Sequence, residues 1–172
     1  MQALLKVFWD IALWRRGPRD LPPSRGLLAA TAVLYTASSA LQSLLIDGPD
    51  LALARGVADL GFTAVAFWLC LAIGRRGHRL PQTLTAVFGT GTLLSLPMIA
   101  VFLAADAVGP EGPVAGAIKL LLLPLLVWGV AVLAHVARRA LDAPLVAGVA
   151  VSTTYYLVGY LFIERLLPST VG

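Results

Sequence analysis

Residues 51–79 have the sequence LALARGVADLGFTAVAFWLCLAIGRRGHR, a long apolar run closed by a cluster of basic residues. The run from Leu51 to Gly74 is long enough to cross a bilayer, because about 20 helical residues at 1.5 Å each span a hydrocarbon core of about 30 Å. The arginines that follow the run stay in water or among headgroups. This stretch therefore predicts a transmembrane helix that ends at a basic surface.

The same pattern of a long apolar run and a short polar connection recurs along the whole chain. Of the 172 residues, 59% are hydrophobic and only 13% are charged, which excludes an ordinary soluble domain. We therefore predict an all-α membrane protein, in which residues 26–172 form a bundle of five transmembrane helices. The predicted spans are residues 26–46, 51–74, 81–105, 113–136 and 143–167.

Basic residues lie almost entirely in alternate connections. Ten of the 13 lysines and arginines fall in the N-terminal segment and in the second and fourth connections. Because basic residues are retained in the cytoplasm, we expect a cytoplasmic N-terminus and a C-terminus on the outer side. Topology thus explains the net charge of +4, and no nucleic-acid partner is expected. The frequent Ala, Gly, Leu and Arg indicate a GC-rich bacterial genome, and hence the bacterial inner membrane.

Residues 1–25 predict a short interfacial amphipathic helix followed by a basic linker. Gln2, Lys6 and Asp10 share one helix face, and the opposite face is apolar. We expect this helix to lie on the cytoplasmic leaflet, with the linker facing anionic lipid headgroups or a protein partner. The basic residues with this role are Arg15, Arg16, Arg19 and Arg25.

One acidic residue, Asp59, lies about two helical turns inside the second span. An unpaired charge at that depth costs about 2.5–3.5 kcal/mol on insertion scales and indicates a functional site. Arg55 lies one turn outward on the same face, and Lys119, near the outer end of the fourth span, is a second possible partner. The candidate intramembrane polar site is therefore Arg55, Asp59 and Lys119. Its alternatives are a structural ion pair near the outer interface, a site for a proton, ion or substrate, and local thinning of the bilayer.

Several residues inside or beside the spans are expected to shape the helices. Pro97 and Pro124 lie near the middle of the third and fourth spans, and each removes a helix hydrogen bond and predicts a kink. Paired kinks occur in transporters with broken helices, although helix packing also accounts for them. Asp142 is expected to cap the start of the fifth helix. Polar residues in the first span predict either close helix packing or the lining of a polar cavity: Thr36, Ser38, Ser39, Gln42 and Ser43.

The sequence carries no recognised catalytic motif. The sequence contains no G-x-S-x-G elbow, no H-E-x-x-H zinc helix and no pair of intramembrane aspartates. The single cysteine, Cys70, has no partner for a disulfide or a metal site. The sequence therefore predicts a non-enzymatic protein without cofactor or metal.

A short cytoplasmic segment precedes five closely spaced helices that fill nearly the whole chain, and proline interrupts the third span at Pro97. This layout resembles that of the small bacterial members of the Yip-type (Ypt-interacting) membrane family. The resemblance implies a membrane adaptor or organiser that acts through contacts with lipids, a membrane-protein partner or a second copy of the chain. The alternative is a small transporter or channel component, in which Arg55, Asp59 and Lys119 bind or gate near the outer face.

Overall fold

A computed structural model describes residues 2–109 and 112–168. All regular secondary structure in these residues is helical, which confirms the all-α prediction. Short 3₁₀ turns at Pro18–Asp20 and Gly77–Arg79 lie in two of the connections. The helices are α1 (Gln2–Ala12), α2 (Arg25–Asp47), α3 (Pro49–Ile73), α4 (Leu80–Ala107), α5 (Pro113–Lys119), α6 (Leu122–Leu141) and α7 (Leu145–Leu166).

Five helical segments are long and apolar enough to cross a membrane, as predicted, and the chain is a multi-pass membrane protein. Each follows a predicted span, with ends that differ by a few residues. The segments are Arg25–Asp47, Pro49–Ile73, Gly77–Ala107, Pro113–Leu141 and Leu145–Leu166.

The two ends of the bundle differ in charge. The end that carries residues 13–24 and the α3–α4 and α6–α7 connections holds most of the arginines and is called the basic end. The opposite end carries the α2–α3 turn, the end of α4 and the end of α7, and is called the acidic end.

The core of the bundle lies in the half nearer the basic end. There, residues 83–90 of α4 and 132–137 of α6 are all buried, so both helices are covered on every side. α6 and α7 approach closely, because Gly148 lies against the backbone of α6 and the Ser152 Oγ donates to the Val130 carbonyl at 2.8 Å. Elsewhere, α2, α3 and α7 expose large apolar side chains such as Leu53, which suits contact with lipid acyl chains.

The two prolines have different effects. Pro124 divides the fourth span, because a proline cannot donate a hydrogen bond to the carbonyl four residues earlier and its ring crowds that carbonyl. α5 accordingly ends at Lys119 and α6 begins at Leu122. Pro97 lies inside α4, which continues through it without dividing.

The short N-terminal helix is confirmed, and its apolar face contacts protein. Ile11 of α1 is fully buried, and the Phe8 ring lies over Gly89 of α4, where a Cβ atom would collide with it. At the end of α1, the Ala12 carbonyl accepts a hydrogen bond of 3.1 Å from the Trp128 Nε1. Trp128 lies about 20 Å along α6 from the basic end, so α1 extends beside the bundle well beyond that end. A sequence pattern of polar and apolar faces does not distinguish a helix covered by lipid from one covered by protein.

The predicted capping role of Asp142 is wrong. Asp142 terminates α6 in a left-handed conformation (φ 55°), and Pro144 precedes the first residue of α7. An aspartate tolerates the left-handed region better than most residues because its short side chain bonds locally. Asp142 therefore lies in the connection itself, where its carboxylate meets the arginines of the basic end.

Candidate functional site

A cavity of about 610 Å³ lies between α2, α3, α4, α6 and α7. It belongs to the half of the bundle nearer the acidic end, since its lining on α2 extends from Tyr35 to Asp47. Ser38, Ser39 and Gln42 line it, so the cavity interpretation of the polar face of the first span holds for these three residues.

Arg55 is buried at the end of this cavity and holds three segments together. Its Nη1 donates to the Asp47 Oδ2 at 2.7 Å, and its Nη2 donates to the Glu164 Oε1 at 3.3 Å and to the Leu167 carbonyl. The side chains of Arg55 and Asp47 are only 10% and 5% exposed. Arg55, Asp47 and Glu164, here named the Arg55 cluster, therefore connect α2, α3 and α7 at the acidic end.

Asp59 does not pair with Arg55. Their spacing on one face of the helix had suggested a structural ion pair, and the structure does not form it. Side chains on a helix tilt toward its N-terminus, so Arg55 extends away from Asp59 and toward the carboxylates at the acidic end. Asp59 instead accepts a hydrogen bond of 2.9 Å from the Ser39 Oγ of α2. Within the described part of the chain, the structure records no ion pair for Asp59.

The position of Asp59 is deep and faces the cavity. It lies ten residues after the first residue of α3, which is about 15 Å along the helix. Its side chain contributes to the lining. Asp59 is thus a carboxylate near the middle of a spanning segment, with a hydroxyl partner and an adjoining space large enough for a small molecule.

Aromatic residues form much of the remaining wall. The fully buried Thr63 lies 2.7 Å from the Tyr155 hydroxyl and 3.4 Å from the Tyr35 hydroxyl, which links α2, α3 and α7 beside Asp59. A Cβ atom at Gly91 would lie 2.7 Å from the Tyr35 ring, so this glycine makes room for the ring. Other aromatic residues in the lining are Phe62, Tyr156 and Tyr160.

The three residues of the candidate polar site do not come together. Arg55 and Asp59 line the same cavity, whereas Lys119 ends α5, is exposed and is not part of that lining. The break between α5 and α6 separates Lys119 from the residues of α6 that do line it, such as Leu125 and Gly129. The polar and charged residues of the site therefore come mainly from α2, α3 and α7, and Lys119 lies outside the lining.

The cavity has an excess of negative charge. Asp47, Asp59 and Glu164 supply three carboxylates, and Arg55 supplies one guanidinium, which leaves two negative charges when all four groups are ionised. Low-dielectric walls strengthen the field of such charges, and tyrosine and phenylalanine faces also attract cations. The lining as a whole favours a cationic ligand over an anionic one.

A second concave surface, here named the arginine cleft, lies at the basic end and measures about 490 Å³. Arg25, at the start of α2, is exposed and does not line it. The other three basic residues that were expected to face lipid do line the cleft. Two arginines from the end of α6 line it as well. The cleft arginines are Arg15, Arg16, Arg19, Arg138 and Arg139.

Asp142 and Asp10 compensate part of the positive charge of the cleft arginines. Asp142 pairs with Arg19, with Arg79 at 2.8 Å and with Arg76 at 3.1 Å. The hydrogen bond from Arg79 and the charge of Arg19 hold the pKa of the Asp142 carboxyl below its usual value. Asp10, buried on α1, pairs with Arg16 at 3.3 Å.

Sequence reasoning missed the acidic partners of Arg55. Glu164 is 109 residues away in the chain, and no local spacing connects the two. Asp47 was available as a signal, since it ends the first span only eight residues before Arg55.

Over the described residues, no group of three or more His, Cys, Asp and Glu side chains is placed to bind a metal.

Searches with family models, among curated proteins and among solved structures give no match to the chain.

Proposed function

We propose that the protein is a small transporter or channel component that binds a cationic solute in the cavity between α2, α3, α4, α6 and α7. One observation carries the proposal: Asp59 lies about 15 Å along α3, faces this cavity and has Ser39 rather than a basic residue as its partner. A carboxylate in hydrocarbon is costly, and such residues mark ion and substrate pathways. A cation bound beside Asp59 would remove that cost.

The aromatic lining supports an organic cation as the ligand. Tyr35, Tyr155, Tyr156, Tyr160 and Phe62 supply several ring faces around the carboxylate. Aromatic cages of this kind recognise quaternary ammonium groups, and the cation–π contribution reaches about 2 kcal/mol when the site excludes water. The cavity volume of about 610 Å³ also exceeds what a bare metal ion needs.

The Arg55 cluster supports a role in gating. It joins α2, α3 and α7 at the acidic end of the cavity, where a ligand from that side would have to pass. A cation that approaches this end meets Asp47 and Glu164 and competes with Arg55 for them. Release of Arg55 from either carboxylate would let α7 move relative to α2.

The orientation that we propose places the basic end in the cytoplasm of a bacterium and the cavity in the outer half of its inner membrane. The distribution of arginines supports it through the positive-inside rule. Single cysteines at Asp50 and His78, in a Cys70→Ala background, test it. A membrane-impermeant maleimide should label the first and spare the second in intact cells, and the opposite labelling would reverse the orientation.

Binding to purified protein in nanodiscs tests the site directly. Isothermal titration calorimetry with benzyltrimethylammonium should show binding, whereas its neutral isostere neopentylbenzene should bind much more weakly. Asp59→Asn should weaken cation binding about tenfold to a hundredfold, because contact with a charged group contributes about 1.5–3 kcal/mol. Asp106→Asn is the matched control, since Asp106 is exposed and lies outside the cavity lining.

Flux separates transport from binding. Proteoliposomes should take up labelled benzyltrimethylammonium with the native protein and lose that uptake with Asp59→Asn, while the melting temperature stays within a few degrees. Equal binding of the cation and its neutral isostere, or unchanged binding by Asp59→Asn, would refute the proposal. A variant that only unfolds more readily would assign Asp59 to packing.

The adaptor function implied by the Yip-type resemblance is a second proposal, supported by the arginines at the basic end. Arg16 and Arg19 are already paired with Asp10 and Asp142. Neutralising Arg15 and Arg25 therefore tests partner binding with the least disturbance of the fold. Unchanged recovery of co-purifying proteins and lipids by this variant would exclude the adaptor role.

A further inference from the structure

We infer that the arginine cleft is a binding site for the phosphate of an anionic phospholipid. The inference is independent of the cation cavity, which lies in the other half of the bundle. The N-terminal segment contributes Arg15, Arg16 and Arg19, and the end of α6 contributes Arg138 and Arg139.

The cleft has more positive charge than its own carboxylates compensate. Five arginines face Asp20 and Asp142 in the cleft, and Asp10 beside it pairs with Arg16, which leaves two positive charges. The Asp20 carboxylate is occupied by the backbone N–H of Gly17 at 2.7 Å, and Asp142 is shared by three arginines from two segments. An anion in the cleft would relieve the repulsion that remains.

Three of the five arginines are available to such an anion. Within the described residues, no ion pair is recorded for Arg15, Arg138 or Arg139. Arg138 reaches only the His135 Nδ1, at 3.4 Å, and its Nε is buried without a hydrogen-bond partner. Guanidinium groups match the geometry of phosphate oxygens through paired N–H donors.

The surroundings of the cleft favour a lipid over free phosphate. Trp9, Leu13 and Trp14 of the same N-terminal segment are exposed, so the segment that carries three of the cleft arginines also presents apolar side chains. The Trp14 ring stacks on His135 next to Arg138, with ring centroids 6.0 Å apart. A phospholipid could place its phosphate among the arginines and its acyl chains along these side chains, which free phosphate could not use.

Native mass spectrometry of the delipidated full-length protein tests the inference with phosphatidylglycerol, phosphatidylcholine and inorganic phosphate as probes. Phosphatidylglycerol should bind at least tenfold more tightly than phosphatidylcholine, and inorganic phosphate should bind weakly. The double variant Arg15→Gln/Arg139→Gln should bind phosphatidylglycerol about 30-fold more weakly, because each arginine at an anionic surface contributes about 1 kcal/mol. Neither residue has a recorded partner that the change would disrupt.

The control is Arg25→Gln/Arg75→Gln, which removes two exposed arginines of the basic end outside the cleft. It should weaken phosphatidylglycerol binding less than threefold. Equal losses in the two double variants would show diffuse attraction to a basic surface and overturn the site. Equal binding of the two lipids would overturn it as well, and binding of inorganic phosphate as tight as that of phosphatidylglycerol would overturn the assignment to lipid.

Discussion

Removal of the Arg55 guanidinium is expected to destabilise the protein strongly. Arg55→Met leaves the Asp47 carboxylate without its cation at a position where that side chain is only 5% exposed. Loss of one member of a buried ion pair costs about 3–5 kcal/mol, because the other charge stays buried and uncompensated. Glu164 adds little to this cost, since its side chain is 31% exposed and reaches water more readily. We expect the free energy of unfolding to fall by about 3–5 kcal/mol.

Replacement of both partners is expected to restore most of that stability. A buried ion pair exchanged for apolar side chains of similar volume is often neutral or stabilising. Asp47→Leu alone should cost about 1.5–3 kcal/mol, as Arg55 keeps its bonds to Glu164 and to the Leu167 carbonyl. The double variant Arg55→Met/Asp47→Leu should then lie within about 1 kcal/mol of the native protein, which corresponds to a coupling energy of at least about 3.5 kcal/mol between the two positions.

Unfolding by sodium dodecyl sulfate in mixed micelles, followed by fluorescence of the four tryptophans, measures these energies. Arg165→Met is the matched control, because it removes an exposed arginine near the same end of the bundle and should change stability by about 0.5 kcal/mol or less. A double variant that loses the sum of the two single losses would refute the reasoning. An Arg55→Met protein as stable as the Arg165→Met control would do the same.

Two further predictions concern the basic end. Ile11→Ala should weaken the docking of α1 by about 2 kcal/mol, since Ile11 is fully buried. Leu5→Ala is the control, because Leu5 is 58% exposed, and it should change the docking free energy by about 0.5 kcal/mol or less. Hydrogen exchange of the α1 amides measures both, and equal effects would mean that α1 does not dock through this face. The second prediction concerns pH. Because the pKa of the Asp142 carboxyl is lowered in the folded protein, the ion pairs of Asp142 contribute their full stability above the ordinary aspartate pKa of about 3.9. That contribution is lost as the pH falls through the lowered pKa of the folded protein. The difference in melting temperature between the native protein and Asp142→Asn should therefore be constant at neutral pH and shrink toward zero in strong acid, and a difference that persists there would contradict the assignment.

The spans were predictable because their signal is local. Each requires about 20 consecutive apolar residues, and a short window of sequence contains all of that information. The sequence predicted a kink at Pro124 from the missing N–H of that one residue, and the structure ends α5 and begins α6 just before it. The same local rule applies at Pro97, yet α4 continues through that residue.

The partners of the polar residues were not predictable, because they depend on which helices become neighbours. The spacing of Arg55 and Asp59 suggested a pair on one helix, yet the direction of the side chains takes Arg55 to α2 and α7. Likewise, the polar face of the first span indicated either packing or a cavity, and only the placement of α7 opposite it leaves Ser39 beside open space. Long-range contacts of this kind leave no periodic trace in a single sequence.

The length of α1 explains why the cavity lies in only one half of the bundle. With 11 residues, α1 is about 16 Å long and covers α4 and α6 only in the half nearer the basic end, where both are buried on every side. In the other half, which α1 does not reach, the five spanning segments leave a cavity between them. Leu94 belongs to both regions, since it packs with Ala12 at the end of α1 and also lines the cavity. The docking of α1 and the occupation of the cavity therefore act on the same side chain.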